Sequence, residues 1–559
     1  MESKSIAEIF STWESKNGFE FEYIVDEKTY KEQKAGLFKQ FVPETSEPVP
    51  YLSNGADVII ISDLHIASGR NEAGVFKGTE NFFADEAFDR FVGHLIRLKA
   101  GKPGILVING DMFDFLRVTE YPGKVREIST SRKIRNFLKA IHTTKPVAPA
   151  PTEIQNEFQH WSAELEKIGI YKDVTELRNN ISKREEEYGL ETDDYKSIYK
   201  LIQIRKGHTI FFNALAKWLH DGNKLLILKG NHDLEICMKN VRNYIRLMLA
   251  ETLMEYANQN DLGAVLENFV LPRIKFIDDA VVIDKLVYIE HGHRYDKFTM
   301  ILDHAMIEPA KQQVNLPFGS FFNRYVINRL ELYYPYLDKV RPARNILPML
   351  IRDNFPLALK VIFNQLPFAL RILTTRPRYV WFMFNRVFWF FLALFLPLVL
   401  VLIFRWHWLI ALIFEPKKSA QPVSIFTQWL TNSGKAIGVL VASYLLTRMV
   451  GWFQLTEPDS LASCAGKRLG DEQFKVMTMG HTHNPGEYIL KNGARFYNTG
   501  TWIPVIEISN ASVRDNYSYT FLHLKNGLGD ELEPANGGLL QRWNDEAERV
   551  DPQLLILRK

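Results

Sequence analysis

Lys475-Val-Met-Thr-Met-Gly-His-Thr-His483 (KVMTMGHTH) is a short apolar run that ends in a glycine and two histidines. The run reads as a buried strand. Two imidazoles placed just past it have little use in packing and are well suited to holding a metal. Working outward, the same texture appears four more times. DVIIIS leads into Asp63-Leu64-His65, and ILVIN leads into Gly110-Asp111-Met112-Phe113-Asp114. LLILK leads into Gly230-Asn231-His232-Asp233, and LVYIE leads into His291-Gly292-His293. In layered α/β folds the chemistry sits just beyond the carboxyl ends of the strands, where loops converge. Five such junctions therefore predict one site assembled from distant segments of an α/β chain.

The chain has 559 residues, so two domains or one domain with large insertions are expected. Hydrophobic residues make up 46% and charged residues 24%, a globular balance. The net charge of +3 gives no reason to expect a nucleic-acid partner. Only Cys237 and Cys464 occur, which excludes a disulfide framework or a thiolate metal site and fits a reducing compartment. No cleavable signal peptide is visible at the start.

Residues 1–50 read as an N-terminal helical arm and linker, and 51–296 as the first part of the catalytic domain. Within that part, about 120–220 is a charged insertion of mixed sign, expected to form a solvated helical cap. Residues 297–455 form a second insertion, rich in aromatic and apolar residues. Residues 456–525 complete the catalytic domain and 526–559 are a tail. The second insertion holds Val387 to Phe404, eighteen residues without a charge. As a helix they rise about 27 Å, close to the hydrocarbon thickness of a bilayer. Arg376, Arg378 and Arg386 precede them, and Arg405, Trp406 and Trp408 follow, as in an interfacial belt. Ala436 to Phe453 is a second, weaker candidate because Arg448 interrupts it. The metal motifs before and after must meet, so the chain must return to the side it left, by an even number of spans or a dip. The stretch before these segments, residues 346–378, alternates apolar groups with Arg and Lys and suits a helix lying in the bilayer surface. A membrane-associated insertion follows, with the catalytic domain expected on the cytoplasmic side of the cell inner membrane.

A pair of divalent cations can clamp the oxygens of a phosphoryl group during in-line attack. Such a site needs one carboxylate that bridges both cations and mixed oxygen and nitrogen ligands around them. Asp63 and His65, with His483, suit a first cation. Asp111 is the natural bridge, and Asn231, His291 and His481 suit a second. Carboxylate, amide and imidazole ligands fit Mn, Fe, Zn or Mg. His232 stands beside a ligand without being needed as one, where a general acid belongs. Either Asp114 or Asp233 could fix its tautomer.

Taken in order, the set Asp63-x-His65, Gly110-Asp111-x-x-Asp114, Gly230-Asn231-His232-Asp233, His291-Gly292-His293 and Gly480-His481-x-His483 resembles the calcineurin-like metallophosphoesterase superfamily. Asn498-Thr499-Gly500-Thr501-Trp502 resembles the short segment that often follows the last His pair there. The resemblance covers roughly residues 55–120, 222–296 and 474–505. It implies a four-layered α/β/β/α sandwich and hydrolysis of phosphoester or pyrophosphate bonds by a hydroxide bridging two metal ions, and it does not cover the arm, the charged cap or the membrane-like insertion. It makes His291 rather than His293 the ligand and leaves His293 as an accessory residue or a packing one. Protein phosphatases of the superfamily carry Arg directly after the second Asp of Gly-Asp-x-x-Asp, where this chain has Phe115. The Gly-Asp-x-Phe-Asp and Gly-His-Thr-His-x-Pro forms are similar to bacterial UDP-diacylglucosamine pyrophosphatases, which usually carry Arg at the position of His232. The enzyme expected is thus a metal-dependent phosphoesterase facing membrane lipids, with a lipid-linked or amphiphilic substrate. A soluble-type nucleotide or phosphoprotein phosphoesterase, whose apolar insertion serves packing or dimerisation, is the alternative. So is a non-catalytic membrane scaffold. Alkaline carbonate extraction of membranes should leave the protein in the pellet; its release into the supernatant would refute true spans.

Overall fold

A computed structural model of the protein describes residues 5–17, 47–77, 79–99, 101–123, 150–296 and 298–301. It also describes 307–308, 313–314, 316–328, 340–341, 381, 461–469, 474–490, 493–508, 513–516, 519–525 and 540–552. The chain divides into two compact units. One comprises Met1–Ala35, Gln40–Pro342 and Pro458–Lys559; the other comprises Gly36–Lys39 and Ala343–Glu457. Of the second unit only Trp381 lies among the described residues. The expected spans 387–404 and 436–453, and the basic stretch before them, therefore fall outside the described residues. Among the described residues no helix is long and apolar enough to cross a membrane.

Among the described residues the first unit is mixed α/β, with two large mixed sheets and two small ones of three and two strands. The strands of the two large sheets are β1 (Val49–Tyr51), β2 (Asp57–Ile61), β3 (Gly104–Asn109), β4 (Lys224–Leu228), β5 (Ile274–Ile277), β6 (Ala280–Ile283) and β7 (Val287–Glu290). Then come β8 (Val476–Met479), β9 (Gly486–Ile489), β10 (Arg495–Asn498), β11 (Thr520–Leu524), β12 (Leu540–Asn544) and β13 (Arg549–Pro552). The seven-stranded sheet runs β13-β12-β11-β2-β3-β4-β5, and the six-stranded sheet runs β1-β6-β7-β8-β10-β9. Neighbours β2, β3, β4 and β5 are parallel, with Ile60 opposite Val107 and Val107 opposite Leu226. In the other sheet β7, β8 and β10 are parallel, with Thr478 opposite both Ile289 and Tyr497. All five strands foreseen from the apolar runs are present.

Strand period accounts for the packing. Successive side chains face opposite ways, so a strand apolar throughout must be covered on both faces. Val58, Ile60, Ile105, Val107, Leu226 and Leu228 of the seven-stranded sheet share one buried cluster with Val281, Ile283, Val287, Ile289 and Tyr497 of the six-stranded sheet. Their neighbours Ile59, Ile61, Leu106, Ile108, Leu225 and Ile227 turn to a second cluster with helices. Those helices include α2 (Asp85–Lys99), α5 (Thr209–His220) and α6 (Lys239–Tyr256), and α5 packs between the other two. On the outer face of the six-stranded sheet, Tyr288, Met477, Met479 and Phe496 meet Leu461 and Ala465 of α7 (Leu461–Leu469).

Three segments differ from their sequence description. The polar N-terminal arm begins with α1 (Ile6–Asn17), whose Ile9 and Phe10 enter the main core and whose Glu14 accepts a hydrogen bond from Asn243 at 2.8 Å. The charged insertion does contain helices, among them α3 (Pro151–Lys167) and α4 (Asp194–Gly207). Its end, α5, is no cap but part of the layer covering the seven-stranded sheet, with Phe211, Phe212 and Trp218 buried. The expected tail contributes β12 and β13 at a sheet edge, because Trp543 is buried against Phe91.

One buried ionic group anchors the loop after β2. Glu80 accepts from the backbone N–H of Ala67, Gly69, Asn81 and Phe82 and faces His208 Nε2 at 3.1 Å. His208 Nδ1 meets Asp85 at 2.9 Å. Burial works against the His208 charge, but Glu80 and Asp85 outweigh it and raise its pKa to about 9. The unfolded value is about 6.5. A raised folded-state pKa stabilises fully below the unfolded value, and the gain disappears as pH rises through the folded one. His208→Gln should therefore cost about 3–5 kcal/mol near pH 6, and its deficit in urea unfolding should shrink as pH passes 9. A pH-independent deficit would exclude an ionic role.

Candidate metal centre

Every candidate ligand lies on a loop leaving the carboxyl end of a parallel strand. Asp63 and His65 follow β2, Asp111 follows β3, Asn231 follows β4, His291 follows β7, and His481 and His483 follow β8. Because the two sheets share a core, the five loops meet and bond to one another. His481 N–H donates to both carboxylate oxygens of Asp63, at 3.1 and 3.0 Å. Leu64 and His65 N–H donate to the Asp111 carbonyl at 3.0 and 2.9 Å. His232 N–H donates to Asp111 Oδ1 at 2.8 Å.

This convergence carries conformational strain. Asp63, His65, Asp111, His481 and His483 all have left-handed backbones, with φ of 55°, 50°, 52°, 69° and 58°. For residues other than glycine that geometry costs on the order of 1–3 kcal/mol each, and it gathers at functional sites. Aspartate and histidine tolerate it better than bulky residues. The preceding glycines have a steric reason. Gly110 also has positive φ, at 77°, and a Cβ there would strike the His291 ring. A Cβ on Gly480 would lie 2.5 Å from Ser62 Oγ and press on the Asp63 carboxylate.

Among the described residues three groups of side chains bring ligand atoms within 4.8 Å of one another: Asp63, His65 and His483; His65, Asp111 and His232; and Asp111, His291 and His481. In the first, His483 Nε2 is 3.3 Å from Asp63 Oδ1 and His65 Nε2 is 3.8 Å from it. The two imidazole nitrogens lie 2.9 Å apart, so their lone pairs aim at one region. In the last, His291 Nε2 is 3.2 Å from Asp111 Oδ2, which lies 3.6 Å from His65 Nε2 on the other side. His291 Nδ1 donates to the Asn109 carbonyl at 2.9 Å, a bond that leaves Nε2 to serve as ligand. His291 Nε2 and Asn231 Oδ1 are buried and make no hydrogen bond. Buried polar atoms are normally satisfied, and a cation would satisfy both. The donor set therefore fits two hard or borderline divalent ions.

Charge gives the same picture. Burial raises the Asp63 pKa, yet His291 and His483 overcome it and hold the group at about 2. Asp111, also opposed by burial, is held well below the carboxylate range chiefly by His291 and His232. Burial opposes the His291 charge, but Asp111 raises its pKa to about 10, and Asp114 with Asp111 raises His232 to about 9. These carboxylates call for positive charge at their centre, and protons and metal cations compete for the same lone pairs.

His232 and the two candidate orienting carboxylates part company. His232 Nδ1 meets Asp114 Oδ2 at 2.9 Å, and Asp114 lies 3.6 Å from His65 Nδ1. Asp233 does not orient His232. Its Oδ1 accepts from Gly230 N–H at 2.6 Å and its Oδ2 from Met112 N–H at 2.8 Å, so it staples the third loop to the second. Burial and Asp111 push its pKa up to about 7 against those donors. His293 is 5% exposed, with its ring centroid 5.5 Å from that of His291, inside the protein rather than at an opening. Burial, His291 and Lys229 lower its pKa well below the ordinary value.

Asp296 and Thr299 escaped notice in the sequence. Asp296 Oδ2 and Thr299 Oγ1 lie 3.4 and 3.3 Å from His481 Nε2. Thr501 Oγ1 donates to the Asp63 carbonyl at 2.7 Å and Asn498 Nδ2 to the Gly480 carbonyl at 2.9 Å. The Asn-Thr-Gly-Thr segment thus ties the first loop to the last. Phe115 is buried against Phe113, and Arg117 is buried too, donating Nε–H to the Thr79 carbonyl at 2.8 Å. The chain matches no family profile, and no curated protein is significantly similar to it in sequence.

Asp233→Ala should lower stability by at least about 2 kcal/mol, because it strands buried backbone donors. Denaturant unfolding checks this, and a variant as stable as the parent would mean the staple is dispensable.

Proposed function

We propose that the protein is a dimetal hydrolase of phosphoester or pyrophosphate bonds, built as a calcineurin-like metallophosphoesterase. The observation that carries the reading is the double membership of Asp111. It belongs to one cluster with His65 and to another with His291 and His481, as a bridging carboxylate must. The packing supports the same reading: two sheets share a core, helices cover the outer face of one and α7 lies on the outer face of the other, an order that fits the proposed α/β/β/α sandwich.

In this reading Asp63, His65 and His483 hold one cation, Asn231, His291 and His481 hold the other, and Asp111 serves both. The cations, Mn among the candidates, would supply Lewis acidity toward a phosphoryl oxygen and would acidify water between them. The remaining roles fall to the chain. His232 has the most exposed imidazole of the set, at 18%, against 12% for His483 and 0% for His291. It is the group best able to meet a substrate. Asp114 accepts from Nδ1 and keeps that nitrogen protonated, so Nε2 hands its proton to the leaving oxygen. The strained ligand backbones keep the acceptors in place before substrate arrives.

The second insertion favours an amphiphilic substrate class. Val387 to Phe404 supports anchorage at the inner membrane with the site on the cytoplasmic side, where a lipid-linked diphosphate or other amphiphile can enter directly.

Purified protein given Mn²⁺ should hydrolyse aryl phosphate mono- or diesters. Asp111→Asn should abolish the activity, and His232→Ala should lower kcat by about 10²–10⁴. If wild type is as inert as Asp111→Asn on esters, pyrophosphates and membrane lipid extracts alike, the enzyme reading fails.

A further inference from the structure

We infer that Asp296 and Thr299 are positioning residues that fix the tautomer of His481, so that Nδ1 is the nitrogen it offers to a cation. The inference rests on the dimetal reading and extends it to residues outside the ligand motifs.

The argument is one of proton bookkeeping. Thr299 has a single hydroxyl hydrogen, and its Oγ1 lies 2.9 Å from the His293 carbonyl, a pure acceptor. The hydrogen is committed there, so the oxygen can only accept from His481 Nε2, at 3.3 Å. Asp296 is also an acceptor on that side, with Oδ2 3.4 Å from the same nitrogen. The Asp296 carboxylate is itself held, because Oδ1 accepts from Phe298 N–H at 2.9 Å. Two acceptors facing one ring nitrogen require it to carry the proton. The bonds are individually long, as a shared, bifurcated donor makes them.

With Nε2 protonated, the lone pair of a neutral His481 is on Nδ1. His291 is arranged the opposite way. Its Nδ1 donates to the Asn109 carbonyl and its Nε2 is left for the ligand role. The two imidazoles of the second cation group would thus be fixed by different partners and offer different nitrogens. Asp296 and Thr299 follow His291 by five and eight residues, on the turn that leaves β7. The loop that supplies one ligand therefore orients another, which arrives more than 180 residues later.

Outer acceptors of this kind typically change metal affinity about 10–100-fold when removed. The test is Mn²⁺ titration of cation-stripped protein, with free Mn²⁺ read by electron paramagnetic resonance. Native protein should take up two ions. The double variant Asp296→Ala/Thr299→Val should bind one of them as before and the other about 10–100-fold more weakly. Thr299→Ser, which keeps the hydroxyl, should stay close to native. If the double variant does not fold, Thr299→Val set against Thr299→Ser makes the same comparison. Unchanged affinity for both ions in the deletion variants would overturn this inference and leave the dimetal reading intact. Equal weakening of both ions would also overturn it, since the effect would then not be local to His481. Native protein that takes up no Mn²⁺ would instead bring down the dimetal reading, and this inference with it.

Discussion

Asp111 is the residue on which the other loops are built. Its carbonyl receives the backbone N–H groups of Leu64 and His65, which sets the first loop. Its Oδ1 receives the N–H of His232, which sets the third, and its Oδ2 stands between His65 and His291. To do all of this it must adopt a left-handed backbone straight after a glycine that is left-handed too. A carboxylate so placed is surrounded by donors before any ion is considered. The geometry of the centre is therefore a property of the protein, and an ion would find its ligands preorganised.

Strain of this kind needs a rigid frame. Five ligands in a disfavoured backbone region together cost several kcal/mol, and the loops alone do not supply that. The frame is the pair of sheets with a shared apolar layer, in which strands such as β2 and β3 are buried on both faces. Around the ligands runs a shell of groups that bind backbone rather than ions. Asp233 joins the second and third loops, Glu80 gathers the turn after His65, and Thr501 with Asn498 tie the first loop to the last. Several of these are acidic or hydroxyl side chains that a motif scan would place at the chemistry itself.

That distinction marks where sequence reading reached and where it stopped. Each of the five ligand-bearing strands was announced by a short apolar run, because burial on both faces leaves no room for polar alternation. The ligands were announced by polar residues massed at the ends of those runs. Asp114 and Asp233 were equivalent candidates for orienting His232, since both are aspartates within a few residues of a motif. Only contact separates them, at 2.9 Å for one and backbone staples for the other. Asp296 and Thr299 carried no local signal, because a lone Asp or Thr in a turn is ordinary.

The amino-acid sequence by itself determined the chemistry on offer: seven candidate ligands with oxygen and nitrogen donors, a histidine proposed as acid, and strands apolar enough to be buried. Those are properties of residue type and period, and they survive in a one-dimensional reading. Tertiary structure alone decided which carboxylate faces which imidazole and which nitrogen is left free, and that helix α1 and strand β12 contribute to the core. Each of these depends on distances between residues far apart in the chain. Two of the pairs that close the centre, His65 with His483 and Asp63 with His481, are separated by 418 positions. No local pattern encodes such a distance; the packing of two sheets creates it.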